Sequence, residues 1–365
     1  MREHLDAIGM APDYSRAMKP CEVCDGEEFK LIQQRGRIAE AGIYGDLPIH
    51  ACQRCGHTMQ NPRYEDKFYQ DYYERLYREV AFGQEAPNQA DIDEQVLRAT
   101  GVMEYVHKFV TPPGRMLDHG CAAGGTMLPF RDAGWMVQGV DPHRPSVETG
   151  CEHLGLDIRI GAGESLPYDD QSFKLIFSLG STEHAYDFGK MMEEVRRVLV
   201  PGGWFLIRWR SNRLWGSPLE YYNHNHYRFF TPWTWELALR RYGFSMIDSS
   251  DIEYERKPGE VYIMACCDLE PSLDAVVEAA TCAEQDGASR IANELLDFRI
   301  AFANRCRAFC EYYEQLKGDA TEIARAARAG EVEFRILLGD DDWAVERARM
   351  EATRYLEEFD SGRVI

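Results

Sequence analysis

Leu117-Asp118-His119-Gly120-Cys121-Ala122-Ala123-Gly124-Gly125 decides the reading of this chain. Arg115-Met116-Leu117 reads as a buried strand, Asp118 stands at its end, and small residues form a turn that opens a helix. Gly120, Gly124 and Gly125 carry no Cβ, so the backbone there can approach a ligand closely. About 20 residues on, a second strand from Met136 to Val140 ends in Asp141-Pro142. A carboxylate at that point can hold two ribose hydroxyls. The pairing predicts a nucleoside cofactor. A nicotinamide site would carry G-x-G-x-x-G, whereas here the second glycine position is Ala122 and an acid, Asp118, precedes the loop.

Working outward, strands are predicted near 115–118, 136–140, 157–160, 173–178, 203–209, 244–249 and 260–267, with helices near 92–110, 125–133, 145–153, 187–198 and 232–242. This alternation means an α/β, doubly wound sheet. The last two strands are joined by a polar stretch around Lys257-Pro258-Gly259 with no room for a helix, so they form an antiparallel hairpin. Three further stretches follow the glycine loop. They are Ala162-Gly163-Glu164-Ser165-Leu166-Pro167-Tyr168-Asp169-Asp170-Gln171-Ser172-Phe173, Glu183-His184-Ala185-Tyr186-Asp187, and Glu194-Val195-Arg196-Arg197-Val198-Leu199-Val200-Pro201-Gly202-Gly203.

Four motifs in this order resemble the class I S-adenosylmethionine-dependent methyltransferases over about residues 92 to 267. The resemblance implies a Rossmann-like, seven-stranded sheet with a reversed edge strand. It implies that Asp118, Gly120, Ala122 and Gly124 face the methionine part of the cofactor. Asp141 and Pro142 would serve the ribose, and Ala162, Gly163 and Glu164 would flank the adenine, with Gly180 also cofactor-binding. The family commonly has an aspartate where this chain has Ala162, so a backbone group or Glu164 is expected to replace that contact.

Composition sets the frame. The 365 residues suffice for two or three domains, and 45% are hydrophobic, as in ordinary globular proteins. No apolar run reaches the roughly 18 residues of a membrane span, and the N-terminus lacks the apolar segment of a signal peptide. The expectation is a cytoplasmic protein whose eleven cysteines are thiols or metal ligands. A net charge of −20 opposes a nucleic-acid partner.

Cys21-Glu22-Val23-Cys24 and Cys52-Gln53-Arg54-Cys55 are two C-x₂-C knuckles 27 residues apart. Four thiolates so paired suit tetrahedral Zn²⁺. With no open position the zinc is expected to be structural, and His57 is a spare ligand only if one cysteine is unused. The short β-like runs Phe29 to Gln33 and Leu47 to Ala51 give the look of a zinc ribbon, read here as scaffold or substrate lid because its charges are mixed. After it, Asn61-Pro62-Arg63-Tyr64 leads into aromatics at helical spacing from Phe68 to Tyr77, most of them expected to pack on the core, and then a loop from Phe82 to Asp91. A zinc knuckle, Pro-Arg-Tyr and a Tyr-Tyr helix together resemble the front end of bacterial methyltransferases of sugar and surface-polysaccharide biosynthesis, deoxysugar C-methyltransferases included. That resemblance implies one tyrosine capping the cofactor pocket.

Two histidines are the candidate catalytic residues. His184 follows the fourth strand, where an acceptor would approach, and its ordinary pKa suits base work. Glu183-His184 is similar to the metal-binding E-x-x-E-H of some O-methyltransferases, but Gly180 stands at the first glutamate, so no catalytic metal is expected. His226 lies in Tyr221-Tyr222-Asn223-His224-Asn225-His226-Tyr227-Arg228-Phe229-Phe230-Thr231-Pro232, an aromatic and polar stretch suited to a sugar ring. Thr231 is expected to cap a helix begun by Pro232. Both imidazoles are expected in one cavity bordered by Gly120 and Tyr222.

The expected domains are a zinc-ribbon-like module (1–63), an aromatic helical connector (64–110), a cofactor-binding domain (111–268) and a helical region (269–365). The last offers helices at 272–284, 288–315, 319–329 and 342–359 and a surface for homodimerisation; Cys306 and Cys310 there read as core residues. The predicted activity is O-methylation of a sugar, nucleotide-sugar or glycan hydroxyl. Alternatives are C-methylation of a nucleotide-linked ketosugar, RNA methylation, and a non-catalytic cofactor-binding subunit.

Overall fold

The computed structural model describes residues 16–39, 43–75, 84–210, 223–251, 260–281, 287–316, 322–323, 325 and 344–361. The chain runs β1 (Arg16–Ala17), β2 (Phe29–Ala39), β3 (Ile43–Cys52), β4 (Thr58–Gln60), β5 (Arg63–Tyr64), α1 (Asp66–Arg75) and α2 (Gln89–Val106). The nucleotide-type unit follows: β6 (Arg115–His119), α3 (Met127–Asp132), β7 (Met136–Asp141), α4 (Arg144–Leu154), β8 (Ile158–Ile160), β9 (Phe173–Leu179), a 3₁₀ turn (Thr182–His184), α5 (Phe188–Val198) and β10 (Leu199–Arg210). β11 (Arg228–Phe229), α6 (Pro232–Arg241), β12 (Ser245–Asp251) and β13 (Glu260–Cys266) complete it, before α7 (Leu273–Thr281), α8 (Gly287–Gln315) and α9 (Ala344–Asp360).

Seven strands form one sheet in the order β12-β13-β10-β9-β6-β7-β8. β8, β7, β6, β9 and β10 are mutually parallel, and β13 runs antiparallel to both β10 and β12. This is the Rossmann-like methyltransferase architecture. The reversed strand is not at the edge, as expected, but one place in. The crossover through α6 carries the chain past β10 to the edge, and the returning hairpin strand fills the gap.

Local chemistry explains the elements. α5 buries Phe188, Met191, Met192, Val195 and Val198, the stripe of a one-faced helix, and Asp187 caps it by accepting from the Lys190 N–H at 3.0 Å. Thr231 and Thr234 form a reciprocal cap ahead of α6, with Pro232 in the first turn. α2 begins earlier than the sequence suggested. Asn88 and Asp91 form a capping box, so Asp91 belongs to the first turn of the helix and not to the loop.

The four-cysteine module is not a free-standing appendage. Its sheet has the order β11-β4-β3-β2, and β11 comes from residues 228–229, beyond the expected boundary at 63. The four cysteines share a buried apolar cluster with α5, α6 and β10. On the other side, α8 packs on β2 and β3, where buried Arg299 donates to the Ile32 carbonyl (3.1 Å) and to Gln33 Oε1 (2.9 Å). α8 and α9 enclose a separate small core of Phe302, Cys306, Phe309, Ala352 and Tyr355, with Cys310 against it. Most of the helix expected at 319–329, Lys257-Pro258-Gly259 and all of Leu76 to Gly83 lie outside the described residues. Among the described residues no helix is long and apolar enough to cross a membrane.

Candidate active site

The glycine loop leaves β6 at the carboxyl edge of the sheet. Gly120 and Gly124 have φ of +76° and +79°, and a Cβ on Gly120 would stand 2.5 Å from the Ser181 Cβ. Ala122 adopts φ +49°, a left-handed conformation that an L side chain pays for in strain. Its N–H donates to Asp141 Oδ2 at 2.7 Å, while Asp141 Oδ1 accepts from the His143 N–H at 2.8 Å. One carboxylate therefore ties the loop after β6 to the start of α4, with exposed Pro142 between. Asp118 is buried; desolvation, then the nearby Asp141 charge, push its carboxyl well above the ordinary range.

Several supports had no signal in the sequence. Gln95 of α2 accepts from the Gly125 N–H at 2.9 Å and so braces the loop. His119 is buried, with Nδ1 3.0 Å from Ser181 Oγ. Ser181 Oγ donates to the His119 carbonyl at 2.7 Å, so it accepts from His119 Nδ1–H, which makes Nε2 the unprotonated nitrogen. Nε2 has no hydrogen-bond partner and presses on Gly163, where a Cβ would approach to 2.2 Å. Burial lowers the imidazole to about 4. Ala162 is exposed, and Glu164 Oε1 accepts from the Asp187 N–H at 3.2 Å, a tie to the cap of α5. Gly180, at φ +89°, lies under the Arg208 guanidinium.

His184 and His226 come together. Their ring centroids are 4.8 Å apart. His184 Nδ1 lies 2.8 Å from the Asn225 carbonyl and 2.7 Å from Tyr73 Oη, and Tyr73 Oη donates to the same carbonyl at 3.0 Å. A carbonyl only accepts, so Nδ1 carries the proton and Nε2 is the basic nitrogen. His226 is arranged the other way. Asn223 Nδ2 donates to its Nδ1 at 3.0 Å, and the His226 main-chain N–H donates to Asn223 Oδ1 at 3.1 Å, so neutral His226 carries its proton on Nε2. Glu183, His184 and His226 each place one possible metal-ligand atom within 4.8 Å of the others, although Gly180 stands where an E-x-x-E-H motif carries its first glutamate. His224 stands apart, edge-on to Tyr72 at 5.1 Å. Tyr221 and Tyr222 lie outside the described residues.

Among the described residues, Tyr73 reaches the site through His184 and the Asn225 carbonyl. Phe68, Tyr69 and Tyr72 pack with Tyr227 in a buried aromatic cluster instead.

The four thiols fit a metal. Cys21, Cys24, Cys52 and Cys55 are buried, and their sulfurs all lie within 4.8 Å of one another, with 3.5 Å for Cys21–Cys55 and 3.6 Å for Cys24–Cys52. Tetrahedral Zn–S bonds of about 2.3 Å place sulfurs about 3.8 Å apart. His57 is outside this set, with its ring on Phe230 at 4.6 Å.

Sheet order, the glycine loop and the Asp141 carboxylate coincide with a sequence match: residues 117–207 fit the family model of a methyltransferase domain. This segment matches a methyltransferase domain. Over 98 residues it is 33% identical to the sterol 4-C-methyltransferase strm-1 of Caenorhabditis elegans, covering 25% of this chain and 29% of that one. A ubiquinone biosynthesis O-methyltransferase of Bartonella tribocorum is 24% identical over 157 residues, 38% of this chain and 64% of its own. A methyltransferase structure from Methanosarcina mazei superposes with a TM-score of 0.40 at 17% identity, over 46% of this chain and 98% of that one. The chain spans less than two thirds of the length of these curated relatives. The methyltransferase domain carries the glycine loop, Asp141 and His184, whereas His226 and Tyr73 reach it from outside the matched segment.

Proposed function

We propose that the chain transfers a methyl group from S-adenosylmethionine to a small polar acceptor held between the 182–184 turn and the 223–226 turn, in the first place a hydroxyl of a sugar, nucleotide-sugar or glycan. The observation that carries this is the meeting of His184 and His226 next to the glycine loop, which Ser181 joins to the His184 turn. When bound, the cofactor supplies an electrophilic methyl on a sulfonium. Gly120, Ala122 and Gly124 let the backbone lie close to its methionine part, Asp141 serves the ribose, and Gly163 with Glu164 flanks the adenine. His184 takes the acceptor proton at Nε2, because its Nδ1 is committed to Asn225. His226 donates from Nε2 and orients the acceptor oxygen.

The opposite protonation of the two imidazoles also favours a second reading, C-methylation beside a carbonyl, as in a nucleotide-linked ketosugar. There a base removes a proton from carbon while a donor stabilises charge on oxygen. Net charge speaks against an RNA acceptor. The four-cysteine module holds Zn²⁺ as a structural ion on this reading. Calorimetry with S-adenosylmethionine, followed by mass spectrometry of nucleotide sugars incubated with enzyme and cofactor, is the test. Absence of cofactor binding by the wild type would refute the proposal.

A further inference from the structure

Every main-chain carbonyl from 223 to 226 is held, and most of the holding comes from the four-cysteine module. Gln60, on β4, places its Nε2 2.9 Å from the Asn223 oxygen, 3.0 Å from that of His224 and 2.5 Å from that of His226. The remaining carbonyl, Asn225, is the one facing Tyr73 and His184. Because its neighbours on both sides are pinned by one buried carboxamide, the Asn225 oxygen has a fixed direction. That direction sets which nitrogen of His184 is protonated.

A second support grips the other histidine-bearing turn. Glu22, between the first two cysteines, accepts from Arg228 Nε (2.8 Å) and Nη2 (2.9 Å) and from Arg63 Nη1 (2.7 Å). This leaves Arg228 Nη1 to donate to the carbonyls of Thr182 (2.8 Å) and Ala185 (2.6 Å), which bracket His184. All three side chains of this bracket are at least nine-tenths buried. Buried bonds of this kind hold geometry, since neither water nor an alternative partner can replace them.

We propose that Gln60 and Glu22 are positioning residues of the acceptor site: the module sets the protonation pattern of His184, Gln60 through the Asn225 carbonyl and Glu22 through Arg228. This rests on the reading of His184 as the acceptor-facing base. The module is thereby part of the site and not only a lid or an aid to folding.

The test uses the full zinc-loaded chain, ¹⁵N-labelled at histidine, with S-adenosylmethionine as the only ligand. Wild type is expected to show His184 protonated at Nδ1. Gln60→Met keeps side-chain length and removes the donor, and it should shift the His184 nitrogens toward the averaged positions of mixed tautomers. The cofactor dissociation constant should stay within about twofold. Glu22→Gln, which keeps the bracket's shape and removes its charge, carries the same readout should Gln60→Met not fold. Unchanged His184 nitrogens in a folded variant would overturn the positioning role alone. A wild type with Nδ1 unprotonated would instead sink the reading of His184 as base.

Discussion

His184 Nδ1 lies 2.8 Å from the Asn225 carbonyl, and this contact separates the roles of the two site histidines. With Nδ1 committed, His184 accepts a proton at Nε2, whereas His226, which receives Asn223 Nδ2 at its Nδ1, donates from Nε2. His184→Ala is expected to cut turnover by about 10²-fold or more and leave cofactor affinity nearly intact. His226→Ala separates the two acceptor readings. For a hydroxyl acceptor it should mainly raise the acceptor KM. For a carbon acid it should lower kcat, because the donor then stabilises developing charge. Steady-state kinetics of both variants decides. Full turnover by His184→Ala would leave positioning alone as the catalytic device.

The sheet and its caps were legible because their signals are local. The stripe of α5, the Thr231-Pro232 cap and the small residues after β6 each lie within a few residues of what they build. The site was legible in part. His184 and His226 stood out as polar residues in suggestive places, but nothing in the sequence pairs Tyr73 with His184 or Gln60 with the 223–226 turn. Those bonds join residues remote in the chain, and such contacts leave no periodicity. His119 carries no signal of its own in the sequence; its significance comes from Gly163 and Ser181, both distant in sequence.

One equivalent of zinc is expected on Cys21, Cys24, Cys52 and Cys55. Structural zinc contributes on the order of 10 kcal/mol to forming such a module. Cys52→Ser should therefore lower the melting temperature and the solubility of the whole chain, since the cysteines share a buried cluster with the sheet helices. Elemental analysis of the purified protein and thermal unfolding check this. An iron-type visible spectrum or a metal-free stable protein would contradict it.

Asp141→Ala should weaken S-adenosylmethionine binding by about 1.5–3 kcal/mol. Part of that loss comes from the loop itself, because the carboxylate also accepts from the Ala122 and His143 N–H groups. Asp141→Asn keeps one acceptor oxygen and should lose less. Titration calorimetry on both variants measures the difference, and equal affinity of wild type and Asp141→Ala would remove this residue from the site.

His119 gives the protein an acid-sensitive element. Burial holds the folded imidazole at about 4, against an ordinary value near 6.5. Between these values the unfolded chain binds the proton and the folded one does not, so stability falls as the solution is acidified through that window. The neutral form's advantage is fully present above about 6.5 and lost by about 4, and the difference amounts to roughly 3 kcal/mol. Neighbouring Asp118 works in the opposite sense, because its folded carboxyl is raised and its contribution fades as pH rises. Comparison with His119→Leu isolates the imidazole, since both proteins retain Asp118. Urea unfolding at pH 7.5 and at pH 5 should show the wild type losing more stability than the variant on acidification. Parallel losses in the two proteins would mean that protonated His119 is accommodated beside Gly163, and that the contact there is looser than its geometry implies.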